Sequence, residues 1–246
     1  MLTTDARADV YERHRPELVA YATRLVVRPD IGEELVQEAA LRLLREDPQL
    51  PDDDARLRAW LFKVVSNLAI DHLRRHSTWR ELVLVEARGR AEADTLFIEE
   101  ARSMRGSPEH KAIAREHLIV CLSCTLRNLP SQQAAALLLK EVYGFTVDEI
   151  GDQLEGSTTQ VKNWLQAARR TLEDRYAATC ALVNQHGVCH QCVELDGFFN
   201  GGTSNPLSET AGALDDRLSI LRRERTTPLG PWHRRMLKLV DDILEG

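Results

Sequence analysis

Two helix-start signals stand eleven residues apart in FTVDEIGDQLEGSTTQVKNWLQAARRTLEDR (145–175), and that spacing constrains the segment tightly. Thr146 with Glu149 has the spacing of a capping box, in which each residue satisfies a backbone N–H that the first helical turn leaves unpaired. Ser157 with Gln160 repeats the pattern. A helix opened at the first signal must therefore end before the second, and Gly156 permits the turn between them. Val147, Ile150 and Leu154 would face inward from the short helix. Val161, Leu165, Ala168 and Leu172 would form the buried stripe of the longer one. Two helices joined by a tight turn predict a helix-turn-helix, whose first helix braces and whose second can enter a major groove. The outer face of the second helix carries Thr158, Thr159, Gln160, Lys162, Asn163, Gln166, Arg169 and Arg170. Those hydrogen-bonding and cationic groups suit base edges and phosphates.

The rest of the chain reads as helix too. In EELVQEAALRLLRE (33–46), Leu35, Val36, Ala39, Leu43 and Leu44 recur at steps of three and four, predicting one apolar stripe. AWLFKVVSNLAIDHL repeats the pattern with Leu61, Val64, Val65, Leu68 and Ala69. No strand-like alternation of any length is present, so the fold class is all-α. The chain divides into two small helical domains, 1–84 and 111–180, joined by a polar linker at 85–110. A Cys/His-containing segment and a helical C-terminal tail follow at 181–246. The last tail helix would set Trp232, Met236, Leu239, Val240, Ile243 and Leu244 on one side.

The net charge of −6 hides an uneven distribution. Residues 30–54 hold nine Asp/Glu against two Arg, while residues 56–80 hold six Arg/Lys against one Asp. Adjacent segments of opposite sign point to two different partners, one of them able to be nucleic acid. No apolar run is long enough to span a membrane, and the charged N-terminal residues lack a signal-peptide core, which points to the cytoplasm.

With those features in view, VKNWLQAARRTL resembles the Val-Lys-x-x-Leu-x-x-Ala-Arg-x-x-Leu pattern of the promoter-reading helix in extracytoplasmic-function sigma factors of bacterial RNA polymerase. LRNLPSQQAAALLLKEVYGFTVDEIG is similar to the Leu-Pro-x-x-x-Arg opening of the same family domain. GEELVQEAALRLLRE is similar to the family's polymerase-docking helix, and RAWLFKVVSNLAIDHLRR to the helix that melts and reads the −10 element. The resemblance implies that Glu33, Glu34, Leu35, Gln37 and Glu38 bind core RNA polymerase. It implies that Arg58, Lys63, Arg74 and Arg75 neutralise phosphates of promoter DNA, while Asn67 and Asp71 read the exposed −10 strand. It assigns −35 reading to the second helix of the helix-turn-helix and admits an anti-sigma factor as a further protein partner. Such a chain is not an enzyme. Here Glu155 and Gly151 depart from the family's usual Gly and Ala.

CALVNQHGVCHQC (180–192) is a separate question. Cys180, Cys189 and Cys192 with His186 and His190 could ligate zinc or another thiophilic metal, with Cys121 and Cys124 as further candidates. A reversible disulfide and inert packing remain alternatives, and sigma activity itself requires no cofactor. Two other functions stay open on the residues alone. One is a stand-alone helix-turn-helix regulator that binds DNA without polymerase. The other is a metalloenzyme, against which stands the lack of a His-Glu-x-x-His motif, a phosphate loop or an acid/base pair tied to the thiols.

Overall fold

In the computed structural model, residues 4–45, 51, 53–76, 119–180 and 214–226 are described, with short pieces between 86 and 99 and between 238 and 243. All seven of the longer elements among them are helices: α1 (Thr4–Val26), α2 (Pro29–Leu44), α3 (Asp54–Arg75), α4 (Ser131–Glu141), α5 (Val147–Leu154), α6 (Thr158–Thr179) and α7 (Leu214–Arg223). No strand is present among the described residues. Most of the predicted linker and the whole Cys/His stretch beyond Cys180 lie outside them.

Two compact units make up the chain, and they interleave in sequence: 1–77, 129–168 and 224–228 form one, and 78–128, 169–223 and 229–246 the other. In the first unit, α1, α2 and α3 pack on one another. Leu18, Tyr21, Leu25, Val36, Leu43, Leu57, Leu61, Phe62 and Val65 are fully buried there. Pro29 starts α2 at a position where a missing N–H costs nothing. Asp53 caps α3, its Oδ1 accepting the Arg56 amide at 2.9 Å. Gly32 lies where a Cβ would stand 2.5 Å from Thr23 Oγ1, so close approach of α1 and α2 requires glycine there.

Not every residue assigned to an apolar stripe is core. Leu44, placed on the buried face of α2, is 51% exposed. It sits at the last turn, one step past the row made by Val36, Ala39 and Leu43. Leu35, Leu68, Val147 and Leu165 are half-buried rather than core.

The helix-turn-helix forms as its signals dictate. Thr146 Oγ1 accepts the Glu149 amide at 3.2 Å while Glu149 Oε2 accepts the Thr146 amide at 2.7 Å. Ser157 and Gln160 make the same reciprocal pair at 3.2 and 2.8 Å. Between them Glu155 takes the left-handed conformation at φ 56°, a strain of about 1 kcal/mol that glycine would escape. The Gly156 amide then donates back to the Gly151 carbonyl at 3.0 Å, closing a Schellman-type end.

This turn explains Gly151. A Cβ built there would sit 2.6 Å from the Gly156 carbonyl oxygen. Helix propensity alone favours Gly151→Ala by about 1 kcal/mol. Here a methyl group must push the turn backbone aside, and overpacking of that kind costs about 1–3 kcal/mol. Gly151→Ala should therefore lower the melting temperature; an unchanged or higher value would mean that the turn yields freely.

In the second unit, residues 119–126 are helical and α7 buries Leu214, Leu218, Ile220 and Leu221. Of the residues that the amphipathic reading sets on one side of the tail, Val240 and Ile243 are buried and Leu239 is half-buried. Trp232, Met236 and Leu244 lie outside the described residues.

Candidate protein- and nucleic-acid-binding surfaces

On α2, positions 34, 37, 38, 41 and 44 fall on one side of the helix at 100° per residue. Glu34 and Gln37 are exposed and Leu35 and Glu38 half-buried. Glu38 Oε1 accepts from Arg42 Nε at 2.9 Å, one turn along. Glu33 is drawn towards α1, where its carboxylate accepts from the Arg15 guanidinium. Leu41 (57% exposed) and Leu44 complete the stripe. The sequence reading missed Leu41 altogether and assigned Leu44 to the core. An acidic and amide half followed by an apolar half is a surface suited to a protein partner with a basic rim and an apolar pocket.

On α3, Lys63, Asn67, Asp71, Arg74 and Arg75 share a second face. Arg74 and Arg75 are exposed and the others half-buried, with Arg74 Nη1 donating to Asp71 Oδ1 at 3.2 Å. Cations flanking an amide and a carboxylate can hold a strand by its phosphates while offering polar contacts to bases.

Arg58 does not join that face. It projects about 100–180° away from those five residues around the helix. Its guanidinium donates to both Glu17 oxygens, at 2.7 and 3.1 Å, and to the Tyr143 carbonyl at 3.3 Å. It also lies over the rings of Phe62 and Phe145, at 4.9 and 4.6 Å from their centroids. Burial would raise the Glu17 carboxyl, but hydrogen bonds and charge from Arg58, with His14 adding to them, hold it below the ordinary range. In this structure Arg58 is a packing and ion-pair residue. Its distance around the helix from Lys63 and Asn67 was the signal available in the sequence.

On α6, Thr159, Gln160, Lys162, Asn163, Gln166 and Arg170 are exposed. Thr158 is exposed as well and donates to Asp148 Oδ1 at 2.8 Å, pinning the start of α6 to α5. Arg169 is half-buried and pairs with Asp215 of α7 at 2.9 Å. The helix therefore presents its first two to three turns as an open polar face, while Val161, Ala168, Leu172 and Tyr176 are buried on the other side.

Three of the cysteines are described: Cys124 and Cys180 are buried and Cys121 half-buried. Arg217, fully buried on α7, donates from Nη1 to Cys121 Sγ at 3.5 Å and from Nη2 to Cys180 Sγ at 3.2 Å. Its guanidinium stacks over Tyr176 at 4.3 Å. A cation already stands where these two sulfurs meet, so a metal shared by them would have to displace Arg217. Among the described residues no group of three His, Cys, Asp or Glu side chains could hold a metal ion. His186, Cys189, His190 and Cys192 lie outside those residues. No described helix is long and apolar enough to cross a membrane.

The family profile for sigma-70 region 2 matches residues 10–78, which contain α2 and α3. The profile for sigma-70 region 4 matches residues 119–172, which contain the helix-turn-helix. Among curated proteins, the chain is 25% identical over 222 residues to the "Probable ECF RNA polymerase sigma factor SigI" of Mycobacterium tuberculosis, covering 88% of this chain and 72% of that one. It is 29% identical over 165 residues to the ECF RNA polymerase sigma factor SigL of the same species, covering 66% and 84%. With the RNA polymerase sigma factor SigZ of Bacillus subtilis it shares 23% over 172 residues, covering 70% and 88%.

Proposed function

From its place in the sigma-70 family, among the extracytoplasmic-function sigma factors to which this chain belongs, we propose how each surface serves promoter-specific transcription initiation. The chain directs initiation. Its own share is positioning, while the chemistry of phosphodiester formation stays with the polymerase. Residues 34, 37, 38, 41 and 44 on α2 dock core RNA polymerase, with Leu41 and Leu44 entering an apolar pocket and Glu34 and Glu38 orienting the approach. The face formed by Lys63, Asn67, Asp71, Arg74 and Arg75 holds the melted −10 strand. The open face of α6, from Thr159 to Arg170, reads the −35 element in the major groove.

One observation carries this reading: the exposed polar faces of α3 and α6 fall inside the two sigma-matched segments, each on a helix whose opposite side is core. Arg169 joins the −35 set once Asp215 releases it, whereas Arg58 stays in its ion pair with Glu17.

Reconstitution with core polymerase tests it. Run-off transcription on fragmented genomic DNA should yield discrete start sites that depend on this chain. Duplex binding by the chain alone, with no polymerase-dependent transcripts, would establish a stand-alone regulator in its place.

A further inference from the structure

Arg24 of α1 is 3% exposed, yet it carries a charge that needs acceptors. Nη1 donates to the Tyr143 hydroxyl at 2.7 Å and to the Arg225 carbonyl at 3.2 Å, and Nη2 to the Glu224 carbonyl at 2.6 Å. These partners come from different parts of the sequence. Arg24 belongs to the segment matched by region 2 and Tyr143 to that matched by region 4. Glu224 and Arg225 follow α7, beyond both matches. All lie in one compact unit.

Around this cation the two sigma regions share one aromatic cluster. Tyr143 meets Tyr21 edge-on at 5.3 Å and Phe62 at 5.0 Å, and Phe145 packs on Phe62 at 5.1 Å. Arg58 closes the cluster from the other side through Glu17 and the Tyr143 carbonyl.

Promoter geometry does not allow this closeness to persist. The −10 and −35 elements lie about 25 base pairs apart, roughly 85 Å along straight DNA. A right-angle bend midway would still leave roughly 60 Å between them. A compact body of about 120 residues has a radius of gyration near 14 Å, so two sites on it are roughly 40 Å apart at most. Both reading faces are open in the structure; their spacing is what prevents joint use. The 42 residues 77–118, which connect the two matched segments, could extend to about 140 Å, ample for separation.

We propose that this closed arrangement is an inhibited state of the free chain and that Glu224–Arg225, part of the C-terminal extension, is its latch. The two carbonyls and the Tyr143 hydroxyl hold Arg24, and Arg24 holds the DNA-reading regions together until core polymerase parts them. The inference rests on the sigma-factor reading and gives the extension a regulatory task within it. Core polymerase selects the open form, so its apparent affinity is its intrinsic affinity scaled by the fraction of open chain.

The test uses the full chain with bio-orthogonal dyes at Ala55 on α3 and Asp152 on α5, both exposed. In the free wild type the dyes should be close, and core polymerase should separate them. Tyr143→Phe keeps the ring and removes one bond to a buried cation. It should shift the free chain towards the long distance and tighten apparent polymerase affinity up to about tenfold. Its transcription at saturating polymerase should match wild type. Arg24→Gln breaks the Tyr143 bond and weakens the two carbonyl bonds, so it should shift the distance further; circular dichroism checks its fold. Dyes that stay close on polymerase binding, or two folded variants with wild-type distance and affinity, would overturn the latch. Failure of the wild type to support any polymerase-dependent initiation would overturn the sigma-factor reading instead.

Discussion

Glu17→Ala should destabilise the chain by about 3 kcal/mol. The Glu17 side chain is 7% exposed and receives both arms of the Arg58 guanidinium, with His14 Nδ1 a further 2.8 Å neighbour. Removing one partner of a buried pair leaves the other charge with its desolvation uncompensated. The rings of Phe62 and Phe145 soften the loss, since a cation over an aromatic face retains about 0.5–2 kcal/mol. Arg58 is also 21% exposed, so water recovers part of the rest. Chemical denaturation gives the value, and a double-mutant cycle with Arg58→Ala separates the pair from the packing. A cost below about 1 kcal/mol would mean the pair is no stronger than a surface one.

The same carboxylate sets a pH dependence. Folding lowers the Glu17 pKa from 4.5, so its stabilisation is complete above that value and is lost as pH falls through the lower folded-state value. Wild type should therefore lose stability more steeply than Glu17→Gln on acidification below about pH 4.5. Parallel curves for the two proteins would assign the acid sensitivity elsewhere.

What the sequence revealed depended on how local the determinant was. Both capping boxes formed because their partners are three residues apart and answer the same local demand, the free amides of a first turn. The buried stripe of α6 and its polar face followed from the 3.6-residue period, and all but Leu165 and Arg169 lie where that period puts them. The helical period already set Arg58 apart from Lys63 and Asn67, but its partners, Glu17 41 positions earlier and Tyr143 85 positions later, had no local signal. Charge composition places a cation in a basic segment without saying which way it points. Arg24 and Tyr143 carried no sequence signal at all, since neither a buried arginine nor a tyrosine after a helix announces its partner. Glu155 lay between these cases. Its departure from the family's glycine was visible, while the accommodation, a strained left-handed residue with Gly151 making room, arises only from how the turn packs on the helix.

The second large effect concerns polymerase capture. Leu41→Gln with Leu44→Gln should weaken binding to core polymerase by about a hundredfold or more while leaving stability within about 0.5 kcal/mol. At 57% and 51% exposure, neither leucine supports the core of the free chain, so their removal leaves no cavity. Burying each in a partner's pocket would contribute about 1.5–2 kcal/mol, and the two together exceed the 2.7 kcal/mol that corresponds to about a hundredfold. Glutamine keeps helix propensity and adds no charge, so the loss reports the apolar contact alone. Glu34→Gln should act differently, slowing association and flattening its salt dependence with little change in dissociation. Fluorescence titration and stopped-flow association with core polymerase separate the two effects. Wild-type affinity in the double leucine variant would remove α2's apolar half from the docking surface and leave the acidic half to account for binding.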